Sequence, residues 1–595
     1  MFRLKKLKTV LLVAPIFLIS GFFLYNNFIA HTTLLSHKSV AVFPFENLSS
    51  DAGDEYFVEG MSDEILNRLS KIGELKVISM PSPLPRLATI STTNQLKIEA
   101  GLKVQTLLKG SVRKVGDEVQ VSAKLINAQT NELLWDKTYN CQLEKIFAVQ
   151  SEIAEKIAKE LSCKLTPSEK QYVEDYPTVN MLAYDQYLLG NEFIKRRASD
   201  FFDRDSATVL RDLSTVEHLY RQAFALDSKF IEPMASLIQV FILCVKKNNF
   251  DFCLSYSPRA RGLLDTMLSL NIDKPFVHFV SGTYKDMIKY DFEGALTEYD
   301  KVIKEEPSNH FVYGFRGELL RKMNRFRDAI ESFSKSTEFN IDNGVPFFYL
   351  YETYSSMRKP EEALQNINKA LSMEPYNSIY YCAKANLFFT FYGNVKRAME
   401  VLDSAQIYVP SQDLIHHKMV IQYFSGDYHL FLPQWLSLPD TLVYRENHIQ
   451  SNLIYIGYTY FLDGNSMKSK KYFDRARMQL EDLIKKSPND FRLYSELGVA
   501  FAGLGNKTLA IANGVKAVNI SPVTKDALAG LSPLNRLAFI YTLLGDQTSA
   551  IDILEKMLKM PMGLYELNNI PMFKVNPAWK TLHENPRFKK LVGES

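Results

Sequence analysis

The sequence predicts a mainly α fold, in which a solenoid of paired helices follows a small α/β domain and an apolar N-terminal helix. The first observation is a small residue that recurs every 34 or 35 residues in the middle of the chain. The second is a series of short apolar and alternating segments within residues 38–165, and the third is a basic tail followed by an apolar run. A period of this length with two helices per period is typical of a helical solenoid.

The first 30 residues predict a membrane anchor. Residues 1–8 form a basic tail and Val10–Tyr25 is apolar, and extending the run through Ala30 gives the ~20 residues that cross a bilayer. No small-x-small motif follows the run, which favours an uncleaved transmembrane signal anchor at residues 9–30 over the alternative, a cleaved signal peptide. The flanking basic residues, which we expect to stay cytoplasmic, are Arg3, Lys5, Lys6 and Lys8.

Residues 38–165 have the pattern of a small α/β domain. Ser39–Phe45 is apolar and β-branched, as in a buried strand, and Leu75–Ser79 is a second short strand. Between them, apolar residues at four-residue spacing predict a helix: Phe57, Met61, Ile65 and Leu69. An antiparallel meander is predicted at Val104–Leu108, Ser111–Lys114, Glu118–Ile126 and Leu133–Tyr139. Two further helices are predicted at Asn94–Ala100 and Ile146–Leu161.

Three segments of this domain resemble the TolB-like amino-terminal domain of bacterial proteins: Lys38–Leu66, Leu107–Tyr139 and Ile146–Leu161. In relatives that domain is often attached to a class III adenylate cyclase, a winged-helix DNA-binding domain or a protein kinase. None of those three domains is recognisable in this sequence, so the resemblance does not imply nucleotide cyclisation. Together with the anchor, it implies a single-pass protein of the bacterial inner membrane with the bulk of the chain in the periplasm.

The repeat is clearest over Phe276–Pro410. Its small-residue markers are Ala295, Ala329, Ala363 and Ala398, and apolar or small residues follow each marker at i+4 and i+7. Prolines close three of these units: Pro307, Pro375 and Pro410. The fullest unit resembles a tetratricopeptide repeat (TPR) at Tyr494, Leu497, Gly498, Phe501, Ala510, Ala517 and Pro522. We expect a TPR superhelix of about ten repeats over residues 180–565, degenerate near 411–445, and a capping segment at 570–595.

A TPR superhelix has a long concave face lined by the first helices of its repeats. In the register set by Ala329, five residues fall on this face and are candidate partner contacts: Tyr284, Glu318, Arg321, Glu352 and Tyr380. The alternative is that they form an ordinary solvated face. As partner contacts, they predict binding of a protein or a peptide.

No motif in the sequence indicates a catalytic residue, a cofactor or a metal site. The nearest acidic cluster is Asp51, Asp54, Glu55 and Glu59, which the N-terminus of a helix accommodates through its dipole. Gly503–Thr508 lacks the spacing of a phosphate-binding loop, and the adjacent His416 and His417 face different directions on a helix. The five cysteines are scattered without metal-binding spacing. A net charge of +3, with no basic tract beyond the first eight residues, gives no indication of nucleic-acid binding.

The leading hypothesis is a membrane-anchored, non-catalytic TPR scaffold that captures a protein or peptide in its groove. The alternative is a sensory or regulatory module, whose α/β domain binds a small ligand at the turn Glu46–Asp54 and acts on a separate signalling protein, such as a cyclase or a transcription regulator. A third hypothesis is an enzyme with an unrecognised site. The sequence gives no indication of the oligomeric state.

Overall fold

A computed structural model gives the fold of the chain. It describes residues 38–80, 104–197, 206–246, 250–339, 343–424, 432–437, 442–444, 449–563 and 568–594. The chain divides into two compact units. The first comprises the described residues up to Met234 together with Val302–Asn309, and the second comprises Ala235–Lys301 and the described residues from His310 onward.

The first unit contains a mixed sheet of six strands. The strands are β1 (Ser39–Val42), β2 (Glu46–Asn47), β3 (Lys76–Ser79), β4 (Thr106–Val115), β5 (Glu118–Asn127) and β6 (Leu133–Gln142). The strand order is β3-β1-β4-β5-β6, and β2 pairs with β4 outside this order. Strand β1 is parallel to β3 and β4, whereas β4, β5 and β6 are antiparallel. The parallel pair needs a crossover, which a helix supplies, and the antiparallel strands need only short turns.

Three helices complete the α/β part of this unit: α1 (Glu55–Ser70), α2 (Ile146–Glu160) and α3 (Pro167–Glu174). Side chains alternate along β5, so that Val119, Val121, Ala123 and Leu125 are buried in one core with the apolar stripes of α1 and α2. The opposite face is polar, where the hydroxyls of Ser122 and Thr138 are hydrogen-bonded at 2.9 Å. One face of the sheet therefore supports the helices.

The first helix pair of the repeat region packs into the same core. It consists of α4 (Met181–Arg197) and α5 (Ser206–Leu226). Ala183, Tyr184 and Leu188 of α4 belong to the core formed by the sheet, α1 and α2. A Cβ atom at Gly60 of α1 would lie 2.6 Å from Cδ2 of Leu188. The glycine therefore permits α4 to pack directly on α1.

The structure confirms the β-α-β start and the antiparallel meander, with one difference. The predicted strands Val104–Leu108, from Thr106 onward, and Ser111–Lys114 belong to one continuous strand, β4, because Gly110 continues the pairing with Ala123. A side chain at Gly110 would collide with Phe45, whose ring lies 2.5 Å from the Cβ position. The predicted helix Asn94–Ala100 lies outside the described residues.

Pairs of helices continue along the chain. They are α6 (Glu232–Lys246) with α7 (Phe250–Ser269), α8 (Pro275–Tyr284) with α9 (Phe292–Glu305), α10 (His310–Lys322) with α11 (Phe326–Phe339), α12 (Val345–Ser356) with α13 (Pro360–Met373), and α14 (Ser378–Tyr392) with α15 (Val395–Ala405). Three more pairs are α18 (Asn452–Leu462) with α19 (Ser466–Lys486), α20 (Phe491–Gly503) with α21 (Lys507–Ile520), and α22 (Leu531–Leu543) with α23 (Gln547–Leu558). The helical repeat architecture is confirmed, and we refer to these pairs as the array.

Small residues explain the close approach of paired helices. The markers Ala295, Ala329, Ala363 and Ala398 are all fully buried. In the pair α10–α11, a Cβ atom at Gly317 would lie 2.5 Å from the ring of Phe333. The aromatic ring thus fills the space that the missing side chain leaves, as the repeat pattern predicts.

The degenerate part of the repeat contains α16 (Ser411–Phe424), the short α17 (Leu432–Ser437) and a hairpin of β7 (Leu442–Tyr444) and β8 (Ile449–Ser451). Trp435 of α17 stacks on Tyr455 of α18 with ring centroids 5.3 Å apart. The array is followed by α24 (Ile570–Val575), a 3-10 helix (Pro577–Leu582) and α25 (Pro586–Leu591). Trp579 and Phe588 of these closing turns are buried in one core with the last three helix pairs.

The expected localisation is corrected. No helix in the described part of the chain is long and apolar enough to cross a membrane. The predicted tail and anchor, residues 1–8 and 9–30 with Arg3, Lys5, Lys6 and Lys8, lie outside the described residues. A single-pass inner-membrane protein with a periplasmic bulk is therefore not supported.

Candidate functional site

The five candidate groove residues lie on the first helices of four repeats. Tyr284 ends α8, Glu318 and Arg321 lie on α10, Glu352 lies on α12 and Tyr380 lies on α14. Tyr284, Glu318 and Glu352 are spaced 34 residues apart and so occupy equivalent positions. Arg321 is one turn beyond Glu318, on the same side of α10.

The structure brings Arg321 and Glu352 together across two repeats. Nη1 of Arg321 donates a hydrogen bond to Oε2 of Glu352 at 2.7 Å, and Arg321 is 8% exposed. Burial disfavours the charged guanidinium, but the carboxylate of Glu352 outweighs it and raises the pKa of Arg321 above its ordinary value. Among the described residues, Nε of Arg321 has no hydrogen-bond partner.

Glu318 joins the same group through its charge. Its carboxylate is the main cause that raises the pKa of Tyr349 well above the ordinary value, and burial adds to the effect. Glu318 also favours the charged form of Arg321. We name Glu318, Arg321, Tyr349 and Glu352 the charged cluster. It joins α10 to α12 and carries two carboxylates for one guanidinium.

Tyr284 and Tyr380 are buried between helices. Tyr284 is 5% exposed and Tyr380 is 2% exposed. The ring of Tyr380 stacks on Phe348 with centroids 5.3 Å apart. Burial raises the pKa of both phenols. In this conformation both tyrosines contribute to packing within the array.

Sequence reasoning missed a buried carboxylate at the pair α8–α9. Glu298 accepts hydrogen bonds from Nδ1 of His278 at 2.6 Å and from Nζ of Lys285 at 2.7 Å. Burial raises the pKa of Glu298, but the hydrogen bonds from Lys285 and His278 outweigh it and lower the pKa below the ordinary value. The only local signal was Lys301 three residues later, whose Nζ lies 3.3 Å from Glu298.

Two further buried ion pairs were also missed. Lys322 at the end of α10 pairs with Asp286 at 2.9 Å, and Asp286 is 1% exposed. Arg536 of α22 pairs with Glu496 of α20 at 2.8 Å. Each pair joins neighbouring repeats, so neither has a signature within one helix. We assign both ion pairs a structural role, because a buried charge needs an oppositely charged partner.

The first unit contains an open cavity of about 950 Å³. One wall is formed by Tyr56, Phe57 and Lys114, and another is formed by residues 179–182 together with Tyr184 and Asp185. The Tyr56 hydroxyl donates a hydrogen bond to Asp185 across the cavity. Lys114 pairs with Asp54 at 3.0 Å. The cavity therefore adjoins the turn Glu46–Asp54, where a small ligand was expected.

Asp51, Asp54 and Glu59 of the acidic cluster make contacts within the first unit. Asp51 accepts a hydrogen bond from the backbone of Gly53 at 2.7 Å, and Glu59 pairs with Lys195 at 3.0 Å. No group of three or more histidine, cysteine or acidic residues in the described ranges has the arrangement of a metal site. Gly503–Thr508 spans the end of α20, the turn and the start of α21, and the Asn506 side chain caps α21. Local folding thus accounts for the acidic residues and for Gly503–Thr508.

Comparison with known proteins adds information on the α/β domain. A family model described as the second domain of HilA/YgeH-like transcriptional regulators matches residues 36–158. The matched residues cover most of the predicted α/β domain, but the model describes a different family from the TolB-like one. The TolB-like assignment is therefore not confirmed. A protein of Rhizobium meliloti (strain 1021) named "Putative adenylate cyclase 3" is 35% identical over 156 residues, which is 26% of this chain and 26% of that protein. The chain thus spans about a quarter of the length of this curated relative.

Solved structures of helical repeat proteins are similar to the array. One is the APC/C hetero-tetramer Cut9–Hcn1, with 14% identity, 76% of this chain and 84% of that chain covered, and a TM-score of 0.34. Another is a tetratricopeptide repeat protein from Parabacteroides merdae ATCC 43184, with 14% identity, 53% of this chain and 99% of that chain covered, and a TM-score of 0.30. The repeat architecture of this chain follows from its own helix pairs.

Proposed function

We propose that the chain is a non-catalytic TPR scaffold that captures a protein or peptide partner along the first helices of its array. The charged cluster lies at the centre of the proposed contact. The observation that carries the proposal is the Arg321–Glu352 ion pair, which fixes two repeats relative to each other beside Glu318. Capture then depends on an extended surface with a few fixed anchors.

The charge of the cluster suggests the chemistry of the partner. Two carboxylates surround one guanidinium, so the cluster has a net negative charge at neutral pH. A basic side chain or a row of backbone N–H groups would therefore complement Glu318 and Glu352 better than an acidic segment would. A partner segment that is basic and extended fits this surface.

Photo-cross-linking tests the proposal. The photoreactive residue p-benzoyl-phenylalanine replaces Glu318 in the full-length chain, and the matched control replaces Glu331, an exposed residue of the second helix α11. We expect a reproducible cross-linked partner from position 318 and none from position 331. Equal cross-linking from both positions, or none from position 318, would contradict the proposal.

We further propose that residues 38–165 are a domain of the TolB-like kind that adjoins the first repeat. The resemblance of Lys38–Leu66 and Leu107–Tyr139 supports this, as does a core shared by the sheet and α4. In this proposal the domain sets the position of the first helix pair.

A regulatory module is the second candidate function. It is favoured by the cavity beside Lys114, by the regulator family model and by the relative that is named as a cyclase. ATP and cyclic AMP are the probes, and thermal unfolding of the full-length chain is the measurement. We expect a raised melting temperature that is lost in Lys114→Gln and kept in Lys124→Gln, an exposed residue of β5. An unchanged melting temperature with both probes would count against this candidate.

A further inference from the structure

Three backbone carbonyls at a 34-residue spacing accept hydrogen bonds from the far end of the array. They belong to Lys322, Ser356 and Thr390, in the last turns of α10, α12 and α14. We name them the carbonyl row. Carbonyls in the last turn of a helix have no partner within the helix. Here their donors come from residues that are 179 to 206 positions later in the chain.

The donors to the three carbonyls are Ala527, Met562 and Asn569. The backbone N–H of Ala527 donates to Lys322 at 2.8 Å, and that of Met562 donates to Ser356 at 2.9 Å. The Nδ2 atom of Asn569 donates to Thr390 at 2.7 Å. Donors from the C-terminal part of the chain therefore satisfy equivalent acceptors in three successive repeats.

Arg358 supplies hydrogen-bond donors at the same surface, whereas the carbonyl row supplies acceptors. Arg358 follows α12 with a φ of 60°, and its Nη2 atom donates to the carbonyls of Asn568 at 3.0 Å and Met560 at 3.3 Å. A backbone N–H is thus bound by Ser356 and backbone carbonyls are bound by Arg358. Recognition at this point depends on main-chain groups and tolerates many side chains.

The described residues of the segment that occupies this surface are hydrogen-bonded to one another. Asn568 is fully buried, and its side chain donates to the carbonyl of Met557 at 3.0 Å and accepts from the backbone N–H of Gly563 at 3.0 Å. Met562 is 2% exposed. We name the described residues Met557–Gly563, Asn568 and Asn569 the C-terminal latch.

We infer that the carbonyls of Ser356 and Thr390, together with Arg358, form a main-chain docking site for an extended peptide, which the C-terminal latch occupies in cis. An extended partner peptide offers the same N–H and C=O groups, so it competes with the latch for Ser356, Arg358 and Thr390. The inference deepens the proposed function and rests on it, because it names where the partner binds and what restrains binding.

The test uses the full-length chain and an isosteric substitution in the latch. Asn569→Asp keeps the oxygen that caps α24 but replaces the donor to Thr390 with an acceptor. We expect hydrogen exchange of the Met562 amide to increase by about tenfold or more, since a buried hydrogen bond beside it is lost. Asn394→Asp is the matched control, because Asn394 is an exposed helix cap that bonds Arg397 of its own helix.

Binding in trans is measured with a fluorescein-labelled peptide of residues 556–569. We expect this peptide to bind the Asn569→Asp chain at least about fivefold more tightly than the wild type, and to lose binding when Arg358→Gln is added. If Asn569→Asp does not fold, Asn568→Ala replaces it, because this variant removes the side-chain hydrogen bonds to Met557 and Gly563 and so opens the latch. Peptide binding by Asn568→Ala is then compared with that of the wild type, with and without Arg358→Gln. Unchanged exchange at Met562, or peptide binding that is independent of Arg358, would overturn the inference. The exchange measurement needs no partner, so its outcome is separate from success or failure of cross-linking at Glu318.

Discussion

The side chain of Asn569 is hydrogen-bonded to the carbonyl of Thr390 at 2.7 Å, although 179 residues separate the two along the chain. The same asparagine accepts the backbone N–H of Met572 and so begins α24. One residue thus joins the end of the array to a first helix in its middle. The second unit is therefore held together by contacts between distant repeats in addition to contacts between neighbours.

Loss of the buried ion pair between α20 and α22 should be costly. Arg536→Ala leaves Glu496, which is 1% exposed, without its guanidinium partner. We expect the free energy of unfolding to fall by about 3–5 kcal/mol, because an uncompensated charge remains buried. The measurement is the midpoint of thermal unfolding of the full-length chain.

The control is Arg325→Ala, which removes an exposed ion pair with Asp328. That change should cost less than ~1 kcal/mol, as exposed pairs usually do. Equal shifts of the melting temperature for both variants would show that Glu496 does not depend on Arg536.

Substitutions at two glycines of α10 distinguish the effect of close packing on stability from the effect of helix propensity. Gly317→Ala places a methyl group 2.5 Å from the ring of Phe333, and we expect a loss of about 1–3 kcal/mol from overpacking. Gly314→Ala meets no atom within 4 Å, and we expect a gain of up to ~1 kcal/mol from the better helix former. Thermal unfolding of both variants tests this, and a gain in Gly317→Ala would refute the packing explanation.

Acid should weaken the folded state through His310. Burial lowers the pKa of His310 from 6.5 to about 4. As the pH falls below 6.5, the unfolded chain binds a proton at this residue that the folded chain does not, so stability is lost down to about pH 4. His310→Gln removes this proton uptake.

We therefore expect the melting temperature of His310→Gln to fall less between pH 7 and pH 4.5 than that of the wild type. Parallel curves of melting temperature against pH for the two proteins would contradict the partly buried, neutral state of His310.

Local periodicity explains what the sequence could predict. Four-residue spacing of Phe57, Met61 and Ile65 identified α1, and the repeating alanines at Ala329 and Ala363 identified paired helices. These patterns lie within one element or one repeat. The helical array, the β-α-β start and the meander were predictable for that reason.

Contacts between separate elements explain what the sequence could not show. The burial of Tyr284 and Tyr380 depends on packing by neighbouring helices, and two partners of Glu298, His278 and Lys285, lie outside its own helix. The bond between Asn569 and Thr390 depends on the path of several repeats. The register of the repeat identified Glu318 and Glu352 as equivalent residues, but it carried no information on Arg321 as the link between repeats.

Charge reversal in the charged cluster tests the central claim of partner capture most directly. Wild-type chain, Glu318→Lys and the control Glu331→Lys are each expressed at matched levels in the same cells, and the proteins that co-purify are quantified. We predict a reproducible partner that is retained by wild type and Glu331→Lys and is reduced at least about tenfold in Glu318→Lys, since a like charge at the contact disfavours a basic segment. Equal recovery by all three chains, or no reproducible partner for wild type, would contradict capture at this surface.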